Sequence, residues 1–512
     1  MRNAITEDFG ISLRQILPGS QFFGANDVLI KTCCGNWNEC QKNDLFVAMV
    51  DADSDGHEQV ELAIARGAKA ILSERLLAVD VPQCIVDNSN EAYARICQTL
   101  AGNPSQYLTT FGITGSDGKT TIAHLLQNVL IAAGEQVAVA SSLKTTIGDE
   151  GRWSNVWNCS EKRSTAELAD WLSHATLSGA TQAIIEASSL QLANHQFAGM
   201  QLDAAIIGNI RAHHLNYHNS AANYRQVTLR LLDYLNSTGI AILNADDPAS
   251  NQLLENLKRP AITYAIKQDA EVTATPLEEC FSEQVFLLTA GNETAPVRTE
   301  IIGRNHIMNC LAAASAALAA GHDLPTIVKG LENLRRIAGR LERVECGQPF
   351  AVFVDLADSP RRLAGTLSTL KRMTQGKLIC VAAVGEKADG QSEMGRVLEN
   401  GCHVPVLSTP LISECRQLEL CHQWLDGFKQ PARAHVIPNR VTAIEWALQQ
   451  AHKGDCVLVV GFGDKPVCSL DQGRWQLTDR EICQAWLYEH PVSPLMDHKR
   501  SSGPFRLDDT DC

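Results

Sequence analysis

Phe111-Gly-Ile-Thr-Gly-Ser-Asp-Gly-Lys-Thr-Thr121 is the stretch from which the rest of the chain can be read. Before it, Leu108, Phe111 and Ile113 give the alternation of a strand. After it, Ile122, Leu125, Leu126, Val129 and Leu130 recur at helical spacing. Between them lie glycines at 112, 115 and 118, then Lys119, Thr120 and Thr121. Strand, glycine turn, Lys-Thr-Thr, helix is the layout of a phosphate-binding loop. Glycine permits positive φ, so backbone N–H groups turn inward toward phosphate oxygens. The following helix start adds partial positive charge. In this reading Gly115, Ser116, Asp117, Gly118, Lys119, Thr120 and Thr121 cradle a nucleotide triphosphate. Lys119 reaches the β- and γ-phosphates, and the Thr120 hydroxyl ligates Mg²⁺. The longer G-x-x-x-x-G-K spacing fails, because Ile113 occupies its first glycine position. The shorter G-[ST]-x-G-K-[TS]-[TS] is met by Gly115 to Thr121.

A chain of 512 residues exceeds one ordinary core, and about three domains are expected. The net charge of −14 argues against a general nucleic-acid or anionic-membrane surface. No apolar run reaches the ~18 residues of a membrane span, and the first residues lack an apolar signal core. The expectation is a cytoplasmic monomer with small-molecule substrates, no nucleic acid and no membrane insertion. Seventeen scattered cysteines without a signal peptide read as free, mostly buried thiols in a reducing compartment. Cys33, Cys34 and Cys40 lie close together, but no second ligand pair follows at zinc-like spacing, so ordinary packing is expected there.

The fold class expected is α/β with three domains. Residues 1–105 form a small α/β domain: a strand over 44–50, Asp55-Gly56-His57, a helix from about 58 to 66, and another strand from Ala70. A helix over 91–100 and Gly102-Asn103-Pro104 lead out of it. Residues 106–338 form a central ATPase-like parallel sheet with helices. Its strands run over 136–140, 183–185, 203–207 and 241–243, with helices over 166–178 and 307–318. Residues 339–492 form a Rossmann-like α/β domain with strands at 351–354, 378–381 and 456–460. Residues 493–512, polar and rich in Pro, Gly and Ser, read as a disordered tail.

Polar clusters at strand ends are where open parallel sheets bind ligands. Glu186 ends an apolar strand and precedes Ala-Ser-Ser. A hard cation beside a phosphate loop takes such a carboxylate as ligand, although an isolated strand-end acid also caps the next helix. Arg211-Ala-His-His-Leu-Asn-Tyr-His218 carries three histidines, of which His214 and His218 stand at i, i+4 and share a face if helical. Surface histidines remain the alternative.

The order of these motifs resembles the Mur ligase family, closest to its members that add the third peptide residue in peptidoglycan assembly. Gly115–Thr121 resembles the family's ATP loop, and Glu186-Ala-Ser-Ser189 its Glu-x-Ser-Ser metal-binding strand end. Asn209-Ile210 with His214-Leu-Asn-Tyr-His218 resembles a segment whose first histidine approaches a second Mg²⁺. Asn244-Ala-Asp-Asp-Pro248 matches the next strand end. Gly339-Arg340-Leu-Glu342-Arg343 resembles the arginine-bearing hinge, and Asp355, Ala357 and Pro360 the ribose and hinge motif. Asp44–Ala48, Asp55-Gly56-His57 and Gly67-Ala68 match the first domain, a UDP-substrate type. In order, the resemblance runs over residues 25 to 470.

It implies ATP and Mg²⁺ as cofactors, and a UDP-muramoyl-peptide and an amino acid as substrates. The substrate carboxylate attacks the γ-phosphate to give an acyl phosphate, and an amine then displaces phosphate, with closure of the last domain excluding water. Lys119, His214 and Arg340 are the implied catalytic residues. Thr120, Glu186 and His214 are the implied metal ligands, and Asn309, Arg340 and Asp355 complete the nucleotide contacts. The chain departs from the pattern at several positions. Thr228 stands where the family has a lysine that is carbamylated to hold the second metal. Asn36-Trp37-Asn38 replaces the uridine-contacting Asp-Ser-Arg, Ser160-Glu161-Lys162 a Thr-Thr-Pro substrate loop, and Thr409-Pro-Leu-Ile412 the diaminopimelate-reading Asp-Asn-Pro-Arg. His306 replaces an adenine-side Asn, Asp358 the hinge histidine, and Asp464-Lys465 a His-Glu pair. An active amide ligase with a shifted substrate and a nucleotide-binding paralogue with a regulatory or scaffold role are both compatible with these residues.

Overall fold

Short apolar runs ending in polar residues build parallel sheets, and the helices between them cover both faces. The computed structural model describes residues 10–51, 54–148, 164–211, 215–385, 390–409, 414–469 and 476–490. They fall into two compact units, Met1–Arg335 and Arg336–Cys512.

Beside a two-stranded antiparallel sheet, Ile11–Ser12 with Leu29–Ile30, the first unit holds two larger sheets. The smaller comprises β1 (Gln21–Phe23), β2 (Cys33–Cys34), β3 (Leu45–Val47), β4 (Ala70–Ser73) and β5 (Gln83–Ile85), in the order β1-β5-β4-β3-β2. All neighbours are parallel except β1 and β5. The strand expected over 44–50 is only three residues long. It leaves the sheet at Met49, whose backbone Gly56 approaches so closely that a Cβ there would clash. The helix expected over 58–66 opens as a 3₁₀ turn, Gly56–Gln59, and is α-helical only over Val60–Ala65 (α1). His57 is buried. Its Nδ1 lies 2.6 Å from the Asp55 carboxylate, and its Nε2 accepts from the Glu74 N–H at 3.0 Å, which fixes the turn. Helix α2 (Ser89–Leu100) is N-capped by Asn88 and packs on this sheet.

The larger sheet starts with β6 (Thr109–Thr114), which runs into the glycine loop and α3 (Lys119–Ala132). Then come β7 (Val137–Ala140), β8 (Thr145–Ile147), α4 (Thr165–Leu177), β9 (Gln182–Glu186) and β10 (Leu202–Ile207). After α5 (Ala221–Leu229) follow β11 (Leu235–Asn244), β12 (Ala261–Ala265), β13 (Val272–Glu279), β14 (Gln284–Ala290) and β15 (Glu293–Thr299). Helices α6 (Arg304–Ala319) and α7 (Leu324–Asn333) close the unit. The order is β8-β7-β9-β6-β10-β11-β12-β13-β14-β15. The strands from β7 to β13 pair in parallel, with antiparallel β8 at one edge and β14 and β15 at the other. Glu186 pairs with Ile113 and Ile207 with Thr114, so the glycine loop leaves β6 between two polar strand ends.

The second unit has β16 (Glu342–Arg343), β17 (Ala351–Asp355), α8 (Pro360–Met373), β18 (Leu378–Ala383), α9 (Gln391–Gly401) and β19 (Val404–Thr409). They are followed by α10 (Glu414–Leu425), β20 (His435–Asn439), α11 (Arg440–Gln450), β21 (Cys456–Val460) and α12 (Asp479–Glu489). The order β16-β17-β21-β18-β19-β20 is parallel apart from β16. Under its strand ends Arg440 is almost wholly buried. Its guanidinium donates to both carboxylate oxygens of buried Asp479 at 3.0 and 2.8 Å, to Ser408 Oγ at 2.7 Å and to the Val460 carbonyl at 2.9 Å. Among the described residues no helix is long and apolar enough to cross a membrane. The segment 493–512 and Ser160–Lys162 lie outside the described residues.

Candidate nucleotide-binding site

Gly115 and Gly118 adopt φ of +139° and +85°. A Cβ on Gly115 would sit 3.1 Å from the Gly208 Cα, and one on Gly118 would run into the Asn309 amide. Both positions therefore need glycine for backbone conformation and for room. The Ser116 N–H donates to the Asn209 carbonyl at 2.7 Å. The Ser116 hydroxyl donates to the Arg211 carbonyl at 2.6 Å and accepts from the Arg211 N–H at 2.8 Å, with Tyr224 Oη 3.0 Å away. The loop is thus held from the far side by β10's exit and by α5. Helix α3, 14 residues long, begins directly at this loop with no side-chain cap, so its positive end lies at the loop. Lys119 Nζ folds back to donate to the Gly115 carbonyl at 3.0 Å, across the loop.

Thr120 Oγ1 donates to the Glu186 carboxylate, at 3.1 and 3.3 Å from its two oxygens. Ser142 completes the cluster. Its hydroxyl lies 2.9 Å from Thr120 Oγ1, and its N–H donates to Glu186 at 2.9 Å. One carboxylate and two hydroxyls, from β9, α3 and the exit of β7, form an all-oxygen donor set. Hard oxygen donors with one carboxylate suit Mg²⁺, which keeps several waters and its phosphate ligands. Ser142 was not singled out in the sequence, although its place directly beyond an apolar strand was the available signal.

His214 lies outside the described residues, so its distance to this cluster is not part of the geometry. The helix that follows it, Leu215–His218, is a single turn. His218 is buried rather than on the surface: its Nε2 is 2.9 Å from Ser189 Oγ, and its ring stands edge-on to Tyr224. Thr228 is fully buried inside α5, and its hydroxyl donates back to the Tyr224 carbonyl at 2.8 Å. Asn244 Nδ2 donates to Asn209 Oδ1 at 2.9 Å, tying the ends of β10 and β11. Burial pushes the Asp247 carboxyl up, while the Ile210 and Ser250 N–H groups hold it down. Asp246 accepts from the N–H groups of residues 266 to 268 at 3.0 to 3.1 Å and is spent on that turn. Asn309 is half-buried against Gly118, whereas His306 faces inward and is buried with its Nδ1 unpartnered.

In the second unit, Gly339 and Leu341 both take positive φ, +63° and +45°. Asp355 pins that turn, accepting from the Leu341 N–H at 2.7 Å and the Ala357 N–H at 2.8 Å. Burial pushes its carboxyl up, against the charge of Arg340 and those two N–H groups. Glu342, nearly buried, accepts from the Gly339 N–H at 2.9 Å and pairs with Arg480 at 2.8 Å. Asp358 pairs with Arg362 at 2.7 Å. Of the 409–412 segment, only Thr409 is described.

Residues 113–317 match the Mur ligase middle domain, and residues 339–463 the Mur ligase glutamate ligase domain. The UDP-N-acetylmuramoyl-L-alanyl-D-glutamate–2,6-diaminopimelate ligase of Bacillus velezensis is 31% identical over 455 residues, covering 87% of this chain and 91% of that protein. The chain belongs to the Mur ligase family. The ligase of the same name from Halalkalibacterium halodurans is 29% identical, over 94% of this chain and 99% of its own. A solved structure of a ligase of that name superposes with a TM-score of 0.67 at 22% identity, covering 94% and 99% of the two chains. The MurF ligase of Thermotoga maritima, solved in complex with ADP, superposes with a TM-score of 0.60 at 18% identity, covering 85% and 94%. As a Mur ligase, the chain is an ATP-dependent acid–amino-acid ligase. Similarity over nearly the whole length of such ligases weighs against a purely regulatory nucleotide binder.

Proposed function

We propose that this Mur ligase joins an amino acid to the carboxylate of a UDP-muramoyl-peptide, with ATP as the phosphoryl donor. The reading is supported by the juxtaposition of Thr120, Ser142 and Glu186 beside a glycine loop whose lysine and helix start face the same strand ends. The substrate carboxylate attacks the γ-phosphorus and ADP departs. The amine then attacks the acyl carbon, loses a proton and expels phosphate, leaving an amide. The loop's N–H groups and Lys119 bind and orient the triphosphate and offset the charge spreading over its oxygens. Lys119 leaves the Gly115 carbonyl to do so. Thr120 and Glu186, with Ser142 beside them and His214 from the adjoining segment, are the residues that would hold Mg²⁺. When bound, the metal supplies neutralisation of phosphate charge. Asn309, packed on Gly118, is assigned to the base side of the nucleotide. Arg340 and Asp355 are assigned to the nucleotide as well. The residue ranges 1–105, 106–338 and 339–492 are taken as the UDP-substrate-type, central ATP-binding and C-terminal ligase domains.

Thr409-Pro-Leu-Ile412 carries no charge, so a diamino acid's second ammonium and carboxylate find no partner there. The amino acid added is therefore assigned as one other than diaminopimelate. The test is phosphate release from ATP with UDP-muramoyl-dipeptide and a panel of amino acids. Release that depends on both co-substrates supports the assignment. Release driven by diaminopimelate overturns the specificity alone, and ATP binding with no release on any amino acid overturns the ligase reading.

A further inference from the structure

The sequence places Cys34 and Cys40 near one another without a second cysteine pair, and the fold supplies a third donor of another kind. Successive residues of β2 point to opposite faces. Cys33 faces the α2 side, where its Sγ is 3.9 Å from Cys97 Sγ, and Cys34 faces the α1 side. There Cys34 Sγ, Cys40 Sγ and a carboxylate oxygen of Asp44 all lie within 4.8 Å of one another. All three side chains are buried, at 6%, 2% and 1% exposure. We propose that Cys34, Cys40 and Asp44 bind a divalent d¹⁰ cation of the zinc class, a structural site separate from the nucleotide loop.

The geometry suits the ion. Zinc takes sulfur at about 2.3 Å and carboxylate oxygen at about 2.0–2.2 Å, so tetrahedral donors stand about 3.4–3.8 Å apart. The three donors here, within 4.8 Å of one another, need close by at most about 1–1.4 Å to reach that. Asp44 is already aimed: the Thr32 hydroxyl donates to one oxygen and the Gln41 N–H to the other at 2.9 Å. The thiols are held weakly, by each other and by carbonyls, Cys34 to that of Leu45 at 3.9 Å and Cys40 to those of Ala63 and Gln41 at 3.7 and 3.8 Å. A water or a backbone carbonyl takes the fourth position.

Charge selects the valence. Two thiolates and the carboxylate total three negative charges. Arg66, whose Nε donates to the Cys40 carbonyl at 3.3 Å, contributes one positive charge. A divalent cation lowers the charge of the buried group from −3 to −1, which exposed Arg66 beside it offsets, whereas a monovalent one leaves −2. On binding, both S–H bonds break, their electron pairs form the metal–sulfur bonds, and two protons leave to solvent. Sulfur donors select a soft or borderline ion over Mg²⁺ or Ca²⁺. The cation ties edge strand β2 to the turn before β3, across the segment Gly35–Glu39.

The full-length protein is loaded with Zn²⁺ and desalted, and in parallel titrated with Cd²⁺. The expected result is one retained zinc, a thiolate-to-cadmium charge-transfer band in the near ultraviolet, and two protons released per cadmium. The Cys34→Ala/Cys40→Val variant is expected to lose that equivalent and that band while its zinc-free form keeps the wild-type circular dichroism. No retained zinc in wild type, or the same equivalent in the variant, overturns the proposal. If the variant fails to fold, X-ray absorption of zinc-loaded wild type decides. Two sulfur neighbours are expected, and a shell of nitrogen and oxygen alone, or of four sulfurs, refutes the site.

Discussion

Replacing Lys119 by alanine separates the nucleotide grip from the fold. Lys119 is the first residue of α3, half-buried, and its ammonium rests on the Gly115 carbonyl at 3.0 Å. In the bound state that ammonium meets phosphate oxygens, and a hydrogen bond to a charged group is worth about 1.5–3 kcal/mol. Against this stands the resting bond, whose donor is the same ammonium but whose acceptor is a neutral carbonyl, at the low end of that range, about 1.5 kcal/mol. The difference, about 1 kcal/mol, corresponds to roughly fivefold in Kd. Alanine is the better helix former, so α3 itself does not suffer. The loop's other anchors, Ser116 to Asn209, Arg211 and Tyr224, do not involve the lysine. Calorimetric titration with ATP and Mg²⁺ therefore reads a weaker Kd at an unchanged thermal midpoint. Equal affinity for wild type and Lys119→Ala, within about twofold, would show that the ammonium does not meet the triphosphate, and the loop assignment would fail.

Glu186→Gln keeps the bond from Ser142 but removes the charge of the oxygen cluster, so ATP affinity in EDTA stays and the gain on adding Mg²⁺ falls by about tenfold; an unchanged gain removes Glu186 from the metal site. Thr228→Val takes away one buried hydroxyl bonded only to its own helix, so ATP affinity moves by less than about twofold while stability changes by about 1 kcal/mol; a large loss of ATP binding would place Thr228 in the nucleotide contacts. Asp479→Asn leaves the Arg440 guanidinium buried without its counter-charge, and urea unfolding should lose about 3–5 kcal/mol; a change under about 1 kcal/mol would mean the pair is relaxed by solvent. Burial holds the His306 imidazole down at about 3, against an ordinary 6.5. As pH falls below 6.5 the unfolded chain takes up a proton that the fold refuses, so stability is full above 6.5 and declines toward 3, by about 1.4 kcal/mol per pH unit. His306→Leu should flatten that part of the pH–stability curve, and an unaltered slope between pH 6 and 4, about two units, would show that the site is hydrated.

The parallel strands were legible because each is an apolar run ended by a polar residue: Ile185 before Glu186, Ile207 before Gly208, Leu243 before Asn244. Their limits shifted by a residue or so, except β11, which begins at Leu235 rather than 241. The antiparallel edge β13–β15 was not read. Pro276 and Pro296 break the strand pattern there, yet one sits at a register shift and the other on the edge strand, the two places where a missing N–H costs little. At the site, Lys119, Thr120 and Glu186 were legible from residue type and position. Ser142 and Tyr224 were not, because a hydroxyl acquires its role only from the neighbours the fold gives it. Asp44 is the same case, a strand-entry acid in the sequence that becomes a partner to two thiols only when Cys34 and Cys40 fold against it.

These contacts divide the site into parts with different dependences. The loop's shape rests on the Asn209 carbonyl, on Arg211 and on the Tyr224 hydroxyl, and the oxygen cluster rests on Glu186. None of these bonds passes through the side chain of Thr228, which spends its hydroxyl on its own helix one turn beyond Tyr224. Under the proposed function, a residue that offers no anionic group there leaves the ground-state grip on ATP in place and withholds charge from the phosphoryl-transfer step. On that same proposal, the departures at 228 and at 409–412 bear on turnover and on which amine is accepted, and affinity for nucleotide rests on Lys119 and the glycines. A Kd for ATP typical of a ligase together with slow phosphate release is what this division of labour requires, and rapid release on a weakly held nucleotide would contradict it.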